Sequence, residues 1–215
     1  MTLPAASSPT TAAPFGLRDL CGLAPLEYRR RRRALAEIEA AIVHQTGFSW
    51  KLENRLWAKV RAHFVVHRSG LISQNHPIAE RMRVGSGLAN AFAITVECEG
   101  NYPLRYDDGR PRYWSPDRFG RARLEDSPRQ VQAARALLAH LAAELPGLRV
   151  GAHRHVEGAK SGCCGPDLWR EIGQHAIDHL GMPEVSRFAD GLDVPDDWRG
   201  EPRIALDTAA DAARA

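Results

Sequence analysis

The sequence predicts a single α/β domain in which helices flank one mixed central β-sheet. The chain has 215 residues, of which 44% are hydrophobic, and this is enough for one domain with a complete core. Apolar and amphipathic segments follow the order helix, strand, helix, hairpin, strand, helix, strand, helix. The strand-like segments 63–67 and 71–74 are separated by a tight Arg-Ser-Gly turn, which indicates a hairpin within the sheet.

The first half of the chain supplies two predicted helices and the centre of the sheet. Residues 26–40 and 53–62 place apolar side chains at helical spacing among charged ones. Between these helices, residues 41–44 form a short apolar strand. The most apolar segment, 91–98, is predicted to be the central strand, because a strand covered on both faces lacks polar alternation.

The second half of the chain has a clear helix start. Ser127 is a typical N-cap and Pro128 suits the first helical position, so we expect a helix that runs to residue 145. A short strand at 148–152 and a helix at 166–180 complete the predicted domain.

Both ends of the chain are expected to lie outside the domain, which spans residues 26–180. Residues 1–25 read as a disordered or loosely attached segment, since their first part is rich in Pro, Ala, Ser and Thr without periodicity. Residues 181–215 read as a loosely attached extension. The first residues lack a basic stretch followed by an apolar one, so no standard secretory signal is expected.

Composition excludes several classes of protein. The balance of 29 Lys and Arg against 26 Asp and Glu demands no nucleic-acid partner. The basic run at 29–33 is read either as the solvated face of a helix or as contact with an anionic surface. The sequence contains no run of about 18 apolar residues, so it predicts no membrane-spanning helix. Four irregularly spaced cysteines do not predict a disulfide framework.

Three segments carry residues suited to metal chemistry. His44 and His153 each follow an apolar strand, and the loop at 160–166 presents Cys163 and Cys164 just before a helix. Two imidazoles and one thiolate, with a fourth position left for water, form a catalytic zinc site. The bound ion lowers the pKa of that water toward neutrality.

Five segments in order resemble the zinc-dependent N-acetylmuramoyl-L-alanine amidases. This family includes phage lysozyme-type amidases, bacterial wall-recycling amidases and animal peptidoglycan recognition proteins. The resemblance covers roughly residues 38–172 and implies their amidase-like fold. The matching segments are IVHQTG (42–47), HFVVHRSGLISQ (63–74), NAFAITVECEG (90–100), GAHR (151–154) and CCGP (163–166).

The resemblance implies a zinc site and a set of catalytic groups. His44, His153 and Cys163 would bind Zn²⁺, with Cys164 as the competing third ligand. Glu97 would be the general base or the electrostatic partner of the water. The family commonly has Lys or Thr two residues before the third ligand to stabilise the oxyanion; here Ser161 stands there with Lys160 beside it, and either could donate.

Substrate contacts are expected from four residues in the matching segments and in loops: Trp50, Asn90, Tyr102 and Trp114. Loop aromatics could stack on sugar rings or seal the long loop at 101–126 onto the domain, and the sequence leaves both open. Some family members have a Tyr before the hairpin histidine His63, where this chain has Ala62. His63 itself is expected to be structural.

The sequence therefore predicts a zinc hydrolase that cleaves the bond between N-acetylmuramic acid and L-alanine in peptidoglycan or muropeptides. We expect an endolysin-like monomer that is cytoplasmic as synthesised and reaches the cell wall by release or delivery. One alternative is a cysteine peptidase or other peptidoglycan hydrolase that uses Cys163 or Cys164. The other is a peptidoglycan-binding module without catalysis.

Overall fold

The protein is built around a six-stranded mixed sheet. The computed structural model describes residues 15–82, 87–106, 110–116 and 120–204. Six strands form the sheet in the order β1-β5-β4-β7-β3-β10, while β2 pairs with β6 and β8 with β9. The strands are β1 (Leu17–Asp19), β2 (Arg29–Arg32), β3 (Ala40–Gln45), β4 (Phe64–Val66), β5 (Ile72–Gln74), β6 (Glu80–Met82), β7 (Ala93–Cys98), β8 (Pro103–Arg105), β9 (Pro111–Tyr113) and β10 (Arg149–Ala152). The predicted fold class is confirmed.

The centre of the sheet is parallel. β3 pairs in parallel with β7 on one side and with β10 on the other. All six residues of β3 are buried, as expected for a strand covered on both faces. Because the three strands run in the same direction, their carboxyl ends meet at one edge of the sheet, and the residues after them are brought together there.

Helices pack against the sheet. The predicted start of α1 (Pro128–Glu144) is confirmed at Ser127 and Pro128, although the Ser127 side chain makes no capping hydrogen bond. The predicted final helix spans α2 (Pro166–Leu168), a π-helical segment (Trp169–Gln174) and α3 (His175–Leu180). The buried faces of these helices, with Leu137, Leu138 and Trp169, join the main hydrophobic core.

The predicted helix at 26–40 is wrong. Only short 3₁₀ turns form at Leu26–Tyr28 and Leu35–Glu37, and the arginine run between them is strand β2, which pairs with β6. Arg33 is buried, so this run is not simply a solvated helix face. Its guanidinium donates to the carbonyl oxygens of Ile78 and Ala93, so a tertiary contact overrides local helical spacing.

The predicted helix at 53–62 shortens to a 3₁₀ helix at Arg55–Lys59. Asn54 caps it by accepting a hydrogen bond from the Leu56 backbone N–H. Trp57 is fully buried in a small second cluster with Leu20 and Val65, as its apolar spacing indicated.

The two segments that were expected to be loosely attached are 1–25 and 181–215. Their described residues, 15–25 and 181–204, are part of the fold. Leu17–Asp19 is an edge strand parallel to β5, so the N-terminal expectation is wrong for these residues. In the C-terminal extension, Met182, Val185 and Trp198 are buried against the domain. Residues 1–14 and 205–215 lie outside the described part of the chain. Among the described residues, no helix has the length and hydropathy needed to span a membrane.

Candidate metal centre

Three side chains meet at the carboxyl edge of the sheet. His44 lies near the end of β3, His153 directly follows β10, and Cys163 lies in the loop before α2. One ligand atom from each of the three lies within 4.8 Å of the other two. All three residues are buried, and the two imidazole rings are 4.0 Å apart between centroids. The sequence-predicted ligand set is thus brought together in space.

Backbone hydrogen bonds hold the cysteine loop against the second histidine. The Arg154 N–H donates to the Cys163 carbonyl oxygen at 3.0 Å, and the Cys163 N–H donates to the Lys160 carbonyl oxygen at 2.8 Å. The β3–β10 pairing sets Ala152, the residue before His153, beside Val43. The cluster is therefore built on paired strands rather than on an isolated loop.

Burial keeps both histidines neutral. Burial, with smaller effects from His153 and Lys160, lowers the pKa of His44 well below its usual value. Burial also lowers the pKa of His153 to about 4, although Glu157 opposes this shift. Neutral imidazoles keep a lone pair for a metal ion at physiological pH.

The surroundings of the Cys163 thiol favour its protonated form, although Gln45 and Lys160 oppose this. Burial, followed by Cys164 and Glu97, raises its pKa well above the usual value. A catalytic cysteine needs the opposite shift, toward thiolate at neutral pH. A metal ion would supply the missing positive charge, since a coordinated thiol is deprotonated.

Cys164 differs from its neighbour in position. It is fully buried within the main hydrophobic core, and its Sγ lies 3.8 Å from the Gly165 carbonyl oxygen. Among the described residues, the group whose ligand atoms lie close enough to share a metal ion contains Cys163 and not Cys164.

Glu97 faces the first histidine. It pairs in register with His44 across β3 and β7, and its Oε1 lies 4.0 Å from His44 Nδ1. Within the described part of the chain, its buried Oε2 has no hydrogen-bond partner. Burial raises the pKa of Glu97 to about 8. A half-buried carboxyl with an unpaired oxygen beside a His–His–Cys cluster has the features of a functional group.

Lys160 lies over an aromatic ring close to the cluster. Its Nζ is 4.1 Å from the ring centroid of Trp114, which packs against Gly47 just past the end of β3. Lys160 contributes to the lowered pKa values of His44 and His153, so its charge acts on the cluster. The carbonyl oxygen of the neighbouring Ser161 accepts a hydrogen bond from the Arg154 guanidinium.

Two of the four predicted substrate contacts, Tyr102 and Asn90, are not brought to the cluster. Tyr102 is 1% exposed, and its hydroxyl is engaged with Gln130 and the Glu99 carbonyl oxygen, so it belongs to the core. Asn90 precedes the amino end of β7, whereas the cluster lies at the carboxyl end, roughly 17 Å away for a six-residue strand. Trp50 and Trp114 both lie on the carboxyl side with exposed surface.

Sequence reasoning missed Glu157. Its Oε2 lies 3.2 Å from His153 Nε2, where a hydrogen bond orients the ring as carboxylates do for metal-binding histidines. The only signal in the sequence is a carboxylate four residues after the histidine. His63 is structural, as expected: it accepts from the Thr95 N–H and donates to the Glu80 carbonyl oxygen.

The fold and this cluster define a mixed α/β protein with a candidate metal site at the carboxyl edge of its sheet. The chain belongs to the N-acetylmuramoyl-L-alanine amidase family, because the sequence model of that family matches residues 34–166, more than half of the chain. No curated protein matches it by sequence.

Several solved structures have the same fold at low sequence identity. The endolysin N-acetylmuramoyl-L-alanine amidase LysCS from Clostridium intestinale URNW is 15% identical, with a TM-score of 0.52 over 77% of this chain and 95% of that one. Drosophila peptidoglycan recognition protein SD is 12% identical, with a TM-score of 0.54 over 81% and 99%. Human PGRP-IBETAC, solved with glycosamyl muramyl pentapeptide, is 13% identical, with a TM-score of 0.53 over 79% and 99%.

Proposed function

We propose that the protein is a zinc-dependent amidase that hydrolyses the bond between N-acetylmuramic acid and L-alanine. The observation that carries the proposal is the buried cluster of His44, His153 and Cys163, with the Glu97 carboxyl 4.0 Å from His44. Membership of the amidase family supports the reaction, and the substrate would be peptidoglycan or a soluble muropeptide.

The residues present fit a zinc ion. Two neutral imidazoles and one thiol form a three-ligand donor set that suits zinc and leaves a position for water. When bound, zinc supplies a Lewis acid and lowers the pKa of water. Glu157 keeps the His153 ring in place from outside the cluster.

Glu97 is the proton-transfer group in this proposal. Its raised pKa, about 8, lets the carboxyl exchange protons near neutral pH, as a general acid–base group must. Its unpaired Oε2 is the atom available to accept a proton from the attacking water and return it to the leaving amine.

Lys160 is the group that we assign to the oxyanion. Its ammonium acts on both histidines, so positive charge is present where negative charge develops on the scissile carbonyl. Ser161 is the weaker candidate, because its backbone is tied to Arg154 and its hydroxyl brings no charge. Trp114, stacked with Lys160 and 41% exposed, would contact the substrate beside the reacting bond.

Two alternatives remain to be separated by experiment. A cysteine peptidase is disfavoured by the raised pKa of the Cys163 thiol. A binding module without catalysis is the other, since peptidoglycan recognition proteins have the same fold.

Mass spectrometry of muropeptides after incubation with the purified protein tests the proposal. We expect release of free stem peptides, loss of that release with a chelator, and recovery on adding Zn²⁺. Chelator-resistant hydrolysis would contradict the role of zinc. Binding of muropeptides without any release by the zinc-loaded protein would support the binding module.

A further inference from the structure

Two segments that are distant in the sequence share one surface of the molecule. Residues 17–33 contain β1 and the arginine run, and residues 51–61 contain the 3₁₀ helix that follows β3. The Arg61 guanidinium lies 4.8 Å from the ring centroid of Tyr28, and Leu20 packs in the second hydrophobic cluster with residues of the other segment. These contacts join the two segments into one surface, which we call the basic face.

The positive charge of the chain is concentrated on this face. Residues 17–33 and 51–61 hold ten of the 29 Lys and Arg residues but only three of the 26 Asp and Glu residues, a net charge of +7. The whole chain carries +3, so all remaining residues together carry −4. Such segregation of charge produces a positive potential over one side of the protein and attracts anionic partners.

Six cations of the basic face are exposed and are not neutralised by carboxylates of the fold. Arg33 is buried and bonds to carbonyl groups, so it is not one of them. The six residues form no ion pair within the part of the chain that the structure describes. They are Arg31, Arg32, Lys51, Arg55, Lys59 and Arg61.

Large apolar side chains are exposed among these cations. Leu23 is 62% exposed and Leu26 is 75% exposed, in the turns that lead into the arginine run, and Leu56 is 41% exposed on the 3₁₀ helix. Single exposed leucines are common on protein surfaces. Three leucines among exposed cations, however, match the composition of surfaces that lie in the headgroup region of a membrane.

We propose that the basic face binds the surface of a bilayer that contains anionic phospholipids. The cations lie at the lipid phosphates, and the leucines enter the boundary between headgroups and acyl chains. Nucleic acids and soluble anionic polymers also attract cations, but they offer no apolar phase to the leucines. No residue of the basic face is a metal ligand or a catalytic group of the proposed amidase, so membrane binding and hydrolysis are independent of each other.

The charged and the apolar contributions can be separated by experiment. One Lys or Arg close to an anionic membrane surface strengthens binding about fivefold. Each methylene group that moves from water into the membrane strengthens binding about fourfold. Added salt weakens the first contribution, because ions screen charges over about 10 Å at 0.1 M ionic strength, but it does not weaken the second.

Co-sedimentation of the full-length protein with lipid vesicles tests the proposal. The vesicles contain either phosphatidylcholine alone or equal parts of phosphatidylcholine and phosphatidylglycerol. We expect the anionic vesicles to bind at least about tenfold more tightly than the neutral ones, and their binding to weaken as NaCl is added. Equal binding to both kinds of vesicle, or binding to neither, would overturn the proposal.

Matched variants test whether the cations of the basic face are responsible. The double variant Arg55→Gln/Lys59→Gln should weaken binding to anionic vesicles at least about tenfold. Arg123→Gln/Arg129→Gln removes the same charge from exposed positions near the start of α1 and should change binding by less than about threefold. Equal losses in the two double variants would show that net charge alone controls binding, and the basic face would then have no special role.

The leucines distinguish a membrane from a soluble polyanion. Leu23→Gln/Leu26→Gln should weaken binding to anionic vesicles about tenfold and leave binding to polyphosphate unchanged, because the charge is retained. Both positions are mostly exposed, and thermal unfolding checks that the variant keeps its fold. Leu56→Gln, on the other segment, should shift vesicle binding in the same direction. Full vesicle binding by these leucine variants would mean that the face recognises negative charge without lipid, which contradicts the proposal.

Discussion

His44 and Glu97 face each other across the parallel pairing of β3 and β7, with Nδ1 and Oε1 4.0 Å apart. The pairing places a candidate metal ligand and a half-buried carboxyl at the same level of the sheet. Because both side chains extend from paired strands, their separation is set by the sheet itself. Substitutions at single positions can therefore test the role of Glu97 and of the residues around the cluster one at a time.

Glu97→Gln should abolish turnover while metal is retained. The amide keeps the shape of the side chain but cannot accept a proton, so we expect kcat to fall by about 100-fold or more. Hydrolysis is followed by release of stem peptides, and bound zinc by elemental analysis. Glu53→Gln, on an exposed residue, is the control. Full activity in Glu97→Gln would remove Glu97 from the mechanism.

Cys163→Ala and Cys164→Ala should differ in zinc content. The first removes a ligand of the three-residue cluster, so we expect less than one equivalent of zinc to remain after dialysis. The second removes a sulfur from the hydrophobic core and should retain zinc, with a modest loss of stability. The reverse pattern would assign the third ligand to Cys164.

Lys160→Met and Ser161→Ala should separate the two oxyanion candidates. Loss of the ammonium should lower kcat by about 100- to 1000-fold, as for removal of one oxyanion donor. Ser161→Ala should stay within a few fold of the parent, because the backbone contact of Ser161 with Arg154 survives. A large loss in Ser161→Ala with an active Lys160→Met would exchange the assignments.

Arg33→Met should destabilise the fold by about 2–4 kcal/mol, because buried carbonyl groups would lose a charged donor. Arg33 Nη2 donates to Ala93 at 2.9 Å, and Nε donates to Ile78 at 3.1 Å. Urea unfolding measures the difference. Arg31→Met, on an exposed position two residues earlier in β2, should change stability by less than about 0.5 kcal/mol.

Glu184→Gln should flatten the acid dependence of stability. Burial would raise the pKa of Glu184, but hydrogen bonds from His155 and Arg199 lower it to about 2. Because the folded pKa lies below the unfolded value, the stabilisation is complete above about pH 4.5 and is lost as pH falls toward 2. Thermal unfolding between pH 5 and 2 tests this. Glu201→Gln, on an exposed residue, should keep the parent slope; equal slopes in parent and Glu184→Gln would contradict the prediction.

Local patterns were enough to predict much of the scaffold. The hairpin at 63–74, the central strand and the start of α1 at Pro128 each follow from turn chemistry, apolar runs or helix-start residues within a few positions. The placement of His44 and His153 after apolar strands likewise depends on neighbours in the chain. These features were confirmed because short-range preferences and the fold agree.

The tertiary structure decided what depends on distant partners. The arginine run became β2 because it pairs with β6, about 50 residues away, and because Arg33 binds carbonyl groups of the interior. Tyr102 entered the core because its hydroxyl bonds to Gln130, a partner from a distant segment. Asn90 precedes β7, and only the pairing of the strands showed that the cluster lies at the other end of that strand. The sequence by itself determined which residue types could bind a metal. Only the parallel pairing of β10, β3 and β7 brought them to one edge, because strand order is set by contacts between segments far apart in the chain.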